Sequence, residues 1–293
     1  MEGALALSFP STPDPNFKKA SFMRFGTLIK SLSAATAFAV SAAAPAMAES
    51  AGPVDSQSWT FTGPLGHYDE RQLQRGLYVY QVRCQACHSL GLVRFSALAE
   101  LGWETEEGVT GADVAKAIAS NYEIPYINED GDADVRPGLL NDTFPWNLEN
   151  PKRAIATYGK APPDLSTMNR ARIGGADYVY ALLTGYDNDH EQPEGAHYNK
   201  VIPVISMPNP WPEDMSDFEY PDGTVPTLEQ QARDVTAFLN WTADPFLEER
   251  HQWGIIVVLY MLALTVLSFI AYRIVAAQVF AKLEQEGGPD PEH

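Results

Sequence analysis

Cysteine is nearly absent: two residues in 293 allow at most one internal bridge, which excludes a fold stapled by disulfides. Basic residues are also scarce, with 20 Lys and Arg against 38 Asp and Glu and a net charge of −18. That balance disfavours nucleic acid or an anionic membrane surface as the main partner and favours a basic one. Internal repeats are lacking, and no segment alternates convincingly with period two, so extended sheets are not expected. With 45% hydrophobic and 20% charged residues, the chain is neither disordered nor collagen-like, and it does not cross a membrane many times.

Only two long apolar runs stand out. The first follows Arg24 and Lys30 and covers residues 32–44, ending in Ala46-Met47-Ala48, the order of an export signal with its cleavage site. Residues 1–48 are therefore expected to be an N-terminal extension plus a cleaved signal, which leaves the remainder at a net −20. A simple signal of this kind points to a bacterial source. The second run, residues 254–272, holds no charged residue, is apolar on every face and has Trp253 and Tyr272 at its ends. Nineteen such residues just span a bilayer. The expected organisation is an exported domain over 49–252, a transmembrane anchor over 253–273 and a short cytoplasmic tail over 274–293. Protein and anchor then belong to a bacterial inner membrane, single-pass, with the domain on the periplasmic side.

Helical periodicity is clear in three places. Over 69–87, Leu73, Leu77 and Tyr80 form one stripe. Residues 176–184 are apolar and stop at Gly185. Thr227-Leu228-Glu229-Gln230 reads as a capping box, followed by Ala232, Val235, Phe238 and Leu239 before Pro245. Between them lie long stretches rich in Pro, Gly, Asn and Asp, which need something to organise them. The fold class expected is mainly α, with long loops and one C-terminal transmembrane helix.

Both cysteines fall in Cys84-Gln85-Ala86-Cys87-His88, the attachment pattern of a c-type haem. Two thiols one helical turn apart reach the two vinyl groups of one macrocycle, and His88 presents an imidazole to the iron. A redox dithiol expects a βαβ pattern that is missing, and half a zinc site lacks its second pair. A covalent haem also supplies apolar surface on which loops can pack. The sixth ligand decides between electron carriage and ligand chemistry. Met207 lies in Ile205-Ser206-Met207-Pro208-Asn209-Pro210, where two prolines stiffen the backbone; Met168 and Met215 have more polar neighbours. His67, His190 and His197 remain open as ligands on spacing.

With these features in view, residues 59–275 resemble the cytochrome c1 family, haem subunits of the cytochrome bc1 complex. The similar motifs are Gln72-Leu73-Gln74-Arg75-Gly76 leading into the haem pentapeptide and Ser89-Leu90, then Phe144-Pro145 and Ala161-Pro162-Pro163-Asp164-Leu165-Ser166. Arg170-Ala171-Arg172-Ile173-Gly174-Gly175, Asp177-Tyr178-Val179-Tyr180 and Leu183-Thr184-Gly185-Tyr186 follow, with Asp234-Val235, Phe238-Leu239 and Trp241 completing the match. The resemblance implies a cytochrome c-like haem domain in which Cys84 and Cys87 carry the thioethers of one haem c and His88 and Met207 ligate its iron. It also implies that Arg172 and Tyr178 contact the haem propionates and that Pro162 and Pro163 pack beside the ring. The family usually has consecutive prolines after its ligand methionine, whereas Asn209 separates them here.

The expected function is an electron-transfer subunit that takes single electrons from a Rieske iron–sulfur protein and gives them to a soluble basic c-type cytochrome, beside a cytochrome b subunit. No general acid, base or nucleophile is needed; the complex is the enzyme. Acidic clusters at 104–107, 129–134 and Glu213, Asp214, Asp217 and Glu219 are candidates for steering a basic acceptor, each set against the plainer reading of a solvated surface. A peroxidase or reductase would need an open sixth position, and a ligand sensor would need an output domain. The nearer alternative is a membrane-anchored mono-haem cytochrome serving an oxidase or photosynthetic reaction centre.

Overall fold

The computed structural model describes residues 54–146, 148, 151–212 and 218–285. The expected export signal, Met215, the acidic residues Glu213, Asp214 and Asp217, and the end of the expected tail lie outside these residues.

Helix α1, Glu70–Val79, starts where the Asp69 carboxylate accepts the Gln72 N–H at 3.1 Å. It continues as a π-helical turn, Tyr80–Cys84, so the helix expected over 69–87 carries its last turns in wider form and ends at the first cysteine. Leu73, Leu77 and Tyr80 are all buried, as their spacing requires. Leu228–Ala243, which we number α6, packs across α1. Its cap is half of the expected box: the Thr227 hydroxyl accepts the Gln230 N–H at 3.1 Å, while the Gln230 side chain turns to Asp234 Oδ1 at 2.8 Å. The two helices meet at Gly76, where a Cβ would lie 2.2 Å from the Asp234 carbonyl oxygen. Asp234 is fully buried here and accepts from Arg75 Nε at 2.9 Å and Gln72 Nε2 at 3.1 Å, so the crossing has a charged, hydrogen-bonded centre inside an apolar seam.

Helix α2, Gly111–Ser120, opens with a reciprocal capping box between Thr110 and Asp113. Short helices α3, Pro151–Tyr158, and α4, Met168–Ala171, precede α5, Gly175–Thr184. Among the described residues there are two small antiparallel ribbons. Strands β1, Leu90–Arg94, and β4, Thr143–Phe144, pair beneath the haem motif, and β2, Glu123–Ile127, pairs with β3, Ala133–Pro137. They escape sequence reading because β2 and β3 are exposed on most positions and so never acquire an alternating apolar face. An aromatic cluster of Tyr80, Phe95, Tyr122 and Phe144, with centroids 4.5 to 5.6 Å apart in its direct contacts, packs under the end of α1.

The last helix, α7, runs Leu247–Gln285. It overshoots the apolar run at both ends, since backbone hydrogen bonding does not stop where hydropathy does. Residues Leu247–Lys282 are long and apolar enough to cross a membrane, and their most apolar window is unburied by the rest of the chain.

Candidate functional site

The residues of 84–88 form a tight turn at the C-terminal end of α1, with the Cys87 and His88 N–H groups both donating to the Cys84 carbonyl at 3.1 and 2.9 Å. Both thiols are free rather than joined. Burial pushes the Cys84 thiol up to about 12, the reverse of a redox-active dithiol, whose thiolate is stabilised. Trp146 Nε1 donates to the Cys87 carbonyl at 2.9 Å, and the Cys87 thiol donates to the Tyr158 hydroxyl at 3.7 Å. The buried Tyr80 hydroxyl donates to the His88 carbonyl at 2.9 Å, so the pentapeptide is fastened from three sides.

His88 is 7% exposed, and its Nδ1 lies 2.7 Å from the Pro163 carbonyl oxygen. A carbonyl oxygen only accepts, so Nδ1 holds the proton and the Nε2 lone pair is left for a metal. Burial lowers the His88 pKa against the opposing pull of the Pro163 carbonyl and Asp164, which keeps the ring neutral and able to ligate. This donor set fits a c-type haem: two thiols for the vinyl groups and one oriented imidazole for the iron.

The loop that supplies Pro163 is stitched to the pentapeptide. Asp164 Oδ2 accepts from Ser89 Oγ at 2.7 Å and Gly91 N at 2.6 Å, Ser166 Oγ accepts from Leu92 N at 3.1 Å, and Leu165 N donates to Ser89 O at 2.9 Å. The carbonyl of Pro163 thus stands against the His88 ring, with Pro162 next to it in the chain. The fastening by Asp164 and Ser166 was not foreseen, although Asp-x-Ser after two prolines is turn chemistry that could have signalled it.

Arg172 and Tyr178 flank the entry to α5. Gly174, at φ 92°, and Gly175, at φ 55°, take left-handed conformations that turn the chain into the helix. Tyr178 is buried on α5, whereas Arg172 is exposed, and its one described hydrogen bond is a 3.4 Å contact from Nη1 to Ala171 O. Its guanidinium is therefore free to turn toward a carboxylate.

Met207 is half-buried against the core, on a loop tied to the far end of α5. Asn199 Nδ2 donates to Leu182 O at 2.7 Å, Trp211 Nε1 to Leu183 O at 2.7 Å, and the Tyr186 hydroxyl to Met207 O at 3.2 Å. Asn209, the residue that separates the prolines, accepts the Trp211 N–H at 3.1 Å through its side-chain oxygen and so forms a turn over 209–211. Of the other candidates, His190 stacks on Tyr198 at 4.0 Å and pairs with Asp187, the backbone of His197 bridges to Ile205, His67 is exposed, and Met168 lies on α4.

Residues 59–279 match the Cytochrome C1 family. This chain belongs to the cytochrome c1 family. It is 35% identical over 263 residues to the cytochrome c1 of Rhodospirillum rubrum, covering 82% of this chain and 93% of that protein. It is 40% identical over 222 residues to the mitochondrial cytochrome c1 heme protein of Schizosaccharomyces pombe, covering 72% and 68%. Against the longer cytochrome b/c1 of Bradyrhizobium diazoefficiens it is 37% identical over 228 residues, 70% of this chain and 33% of that protein. Family membership makes the protein a haem electron-transfer subunit of the bc1 complex, with a covalently bound c-type haem and a transmembrane helix. It sets aside the reading as a free-standing anchored cytochrome, and with it those of peroxidase and sensor.

Proposed function

We propose that this subunit receives single electrons from a Rieske iron–sulfur protein and delivers them to a soluble, basic c-type cytochrome, beside cytochrome b in a bacterial inner membrane. In this reading Cys84 and Cys87 hold the haem, His88 and Met207 ligate the iron, Arg172 and Tyr178 meet the propionates, and Pro162 and Pro163 pack beside the ring. The observation that carries it is the fixed tautomer of His88, set by Pro163 O at 2.7 Å. A ligand locked in one orientation changes little between oxidation states, and a low reorganisation cost is what an electron relay requires. When bound, the haem supplies one reversible electron at its iron. The protein's part is to attach it through the two thiols, keep Nε2 aimed at the metal, hold the thioether of Met207 on a loop braced by Asn199 and Trp211, and offer Arg172 as a bidentate partner for a carboxylate.

In this reading the head domain, residues 49–252, lies on the periplasmic side, in keeping with the export signal expected at 23–48. The acidic tip of the β2–β3 ribbon and residues 104–107 support steering of a basic acceptor, though Glu104 is already paired with Arg71 at 2.6 Å. Two measurements test this. Purified in mild detergent from its native membrane, the protein should retain b-type haem and accept electrons from a ubiquinol analogue with inhibitor sensitivity; a lone c haem unresponsive to quinol would refute the assignment. Neutralising 104–107 and 129–134 together should lower acceptor reduction about tenfold at low salt and flatten its salt dependence; unchanged rate and slope would reject steering.

A further inference from the structure

Where α7 leaves the head domain, a cavity of about 330 Å³ opens beside its first turn. Arg170 on α4 and Arg250 on α7 both project into its wall and both donate through Nη2 to one oxygen, Oδ2 of Asp244. Arg170 does so at 2.6 Å. One carboxylate balances one guanidinium, so these three groups carry an excess positive charge, while Asp177 brings the cavity lining as a whole to two guanidiniums and two carboxylates, in a chain whose net charge is −18. The second carboxylate on the wall, Asp177, is held by neutral donors, Gln57 N at 3.1 Å and Trp59 Nε1 at 2.6 Å, with Arg233 stacked on the Trp59 ring at 4.9 Å. Glu248 turns to the Tyr68 N–H at 2.8 Å.

Each guanidinium has five N–H donors, and only one of them is committed to Asp244. Both arginine side chains are more than half exposed, at 59% and 55%. A fork of free donors from two arginines matches the oxygens of a phosphate group, which it can grip bidentately. The depth also matters. Arg250 lies within the apolar helix Leu247–Lys282, three residues before the exposed Trp253, hence about 4.5 Å along the axis from an aromatic side chain of the type that sits at headgroup level. Beyond it, Ile256, Val257 and Tyr260 present exposed apolar surface along the same helix.

We infer that this cavity binds the phosphate headgroup of an anionic phospholipid, whose acyl chains lie along α7. The overall acidity of the chain argues against a broad anionic membrane surface; this site is a local exception, built where the span begins. The lipid ties α4, the end of α6 and the start of α7 to the bilayer, and so fixes the height of the head domain above it.

The test uses the full chain in its complex, purified in mild detergent from membranes containing phosphatidylglycerol. Phospholipid retained per haem is measured by phosphorus assay and mass spectrometry for wild type, the double variant R170Q/R250Q and the control R71Q, whose ion pair lies elsewhere on the surface. The double variant should retain about tenfold less phosphatidylglycerol with cytochrome b still bound, R71Q should match wild type, and millimolar inorganic phosphate should release none. Equal retention in the double variant overturns the proposal. So does release by inorganic phosphate, which would make it a site for the free ion, and so does loss of lipid only together with cytochrome b, which would make the face a subunit contact. If the double variant does not assemble, wild-type complex in nanodiscs is used. Hydrogen exchange over residues 244–252 should slow when phosphatidylglycerol is added to phosphatidylcholine, and no change would equally overturn it.

Discussion

Replacing Gly76 by Ala tests the crossing of α1 and α6, on which the position of the haem motif depends. A methyl group there would stand 2.2 Å from Asp234 O and 2.6 Å from Phe238 Cβ, against an ordinary contact of 3.4 Å or more. The nearer obstacle is helix backbone, which cannot swing aside as a flexible side chain does, so the helices must separate by about 1 Å. Such overpacking costs roughly 3 kcal/mol, the upper part of the usual range, because both α1 and α6 also carry the buried contacts of Arg75 and Gln72 to Asp234. Alanine returns about 1 kcal/mol through its better helix propensity. The net loss of about 2 kcal/mol corresponds to a fall in melting temperature of about 4–8 °C for a domain of this size. Trp241, buried on α6, gives a fluorescence signal for thermal unfolding of the haem-loaded complex in detergent. A melting temperature within about 2 °C of wild type would refute the close approach and the reasoning from it.

Three further outcomes are expected. Met207→Leu should lower the reduction potential by on the order of 0.1 V and let the haem bind external ligands, whereas Met168→Leu should do neither; redox titration and ligand difference spectra decide, and equal effects from the two would remove Met207 from its role. Burial alone would raise the Asp164 carboxyl, but hydrogen bonds from Ser166, Ser89 and Gly91 outweigh it and hold the group below its ordinary range. Its contribution is therefore full above about pH 4 and lost as pH falls through the lowered value, so Asp164→Asn should cost about 1–2 kcal/mol at pH 7 and progressively less below pH 4. Melts at pH 7 and pH 3 that show the same gap would refute it. Asn199→Ala leaves the buried Val201 N without its partner and Leu182 O with only the 3.4 Å bond from Gly185 N, and should cost about 1–3 kcal/mol, with faster hydrogen exchange in the Met207 loop than in α1.

Legibility in the sequence followed the range of the interactions involved. Local features read correctly: the Leu73, Leu77 and Tyr80 stripe, the stop at Gly185, the start at Thr227 and the apolar run inside α7 are all set by residues within a few positions of one another. The Cys84-Cys87-His88 spacing belongs to the same class, since one turn of chain places all three. The β1–β4 ribbon was not legible because its pairing joins residues as far apart as Leu90 and Phe144, and the local β2–β3 hairpin was not because neither of its strands has a buried face.

The site shows the same division at a finer scale. That His88 could ligate a metal follows from the pentapeptide, but which nitrogen faces the metal is decided by Pro163, 75 residues away, through a carbonyl oxygen that carries no side-chain signature. Backbone acceptors are identical at every position, so no composition or spacing rule could have selected that one. The same holds for the Met207 loop, which is held through Leu182 O and Leu183 O rather than through any distinctive side chain of α5. What distinguishes these positions in the sequence is the donor, Asn199 or Trp211 or the proton of His88, each a residue whose polar atom must find a partner once its body is buried. A buried amide or indole in a loop rich in proline is therefore the local trace of a long-range brace, and it marks the loops on which a weakly held ligand can depend.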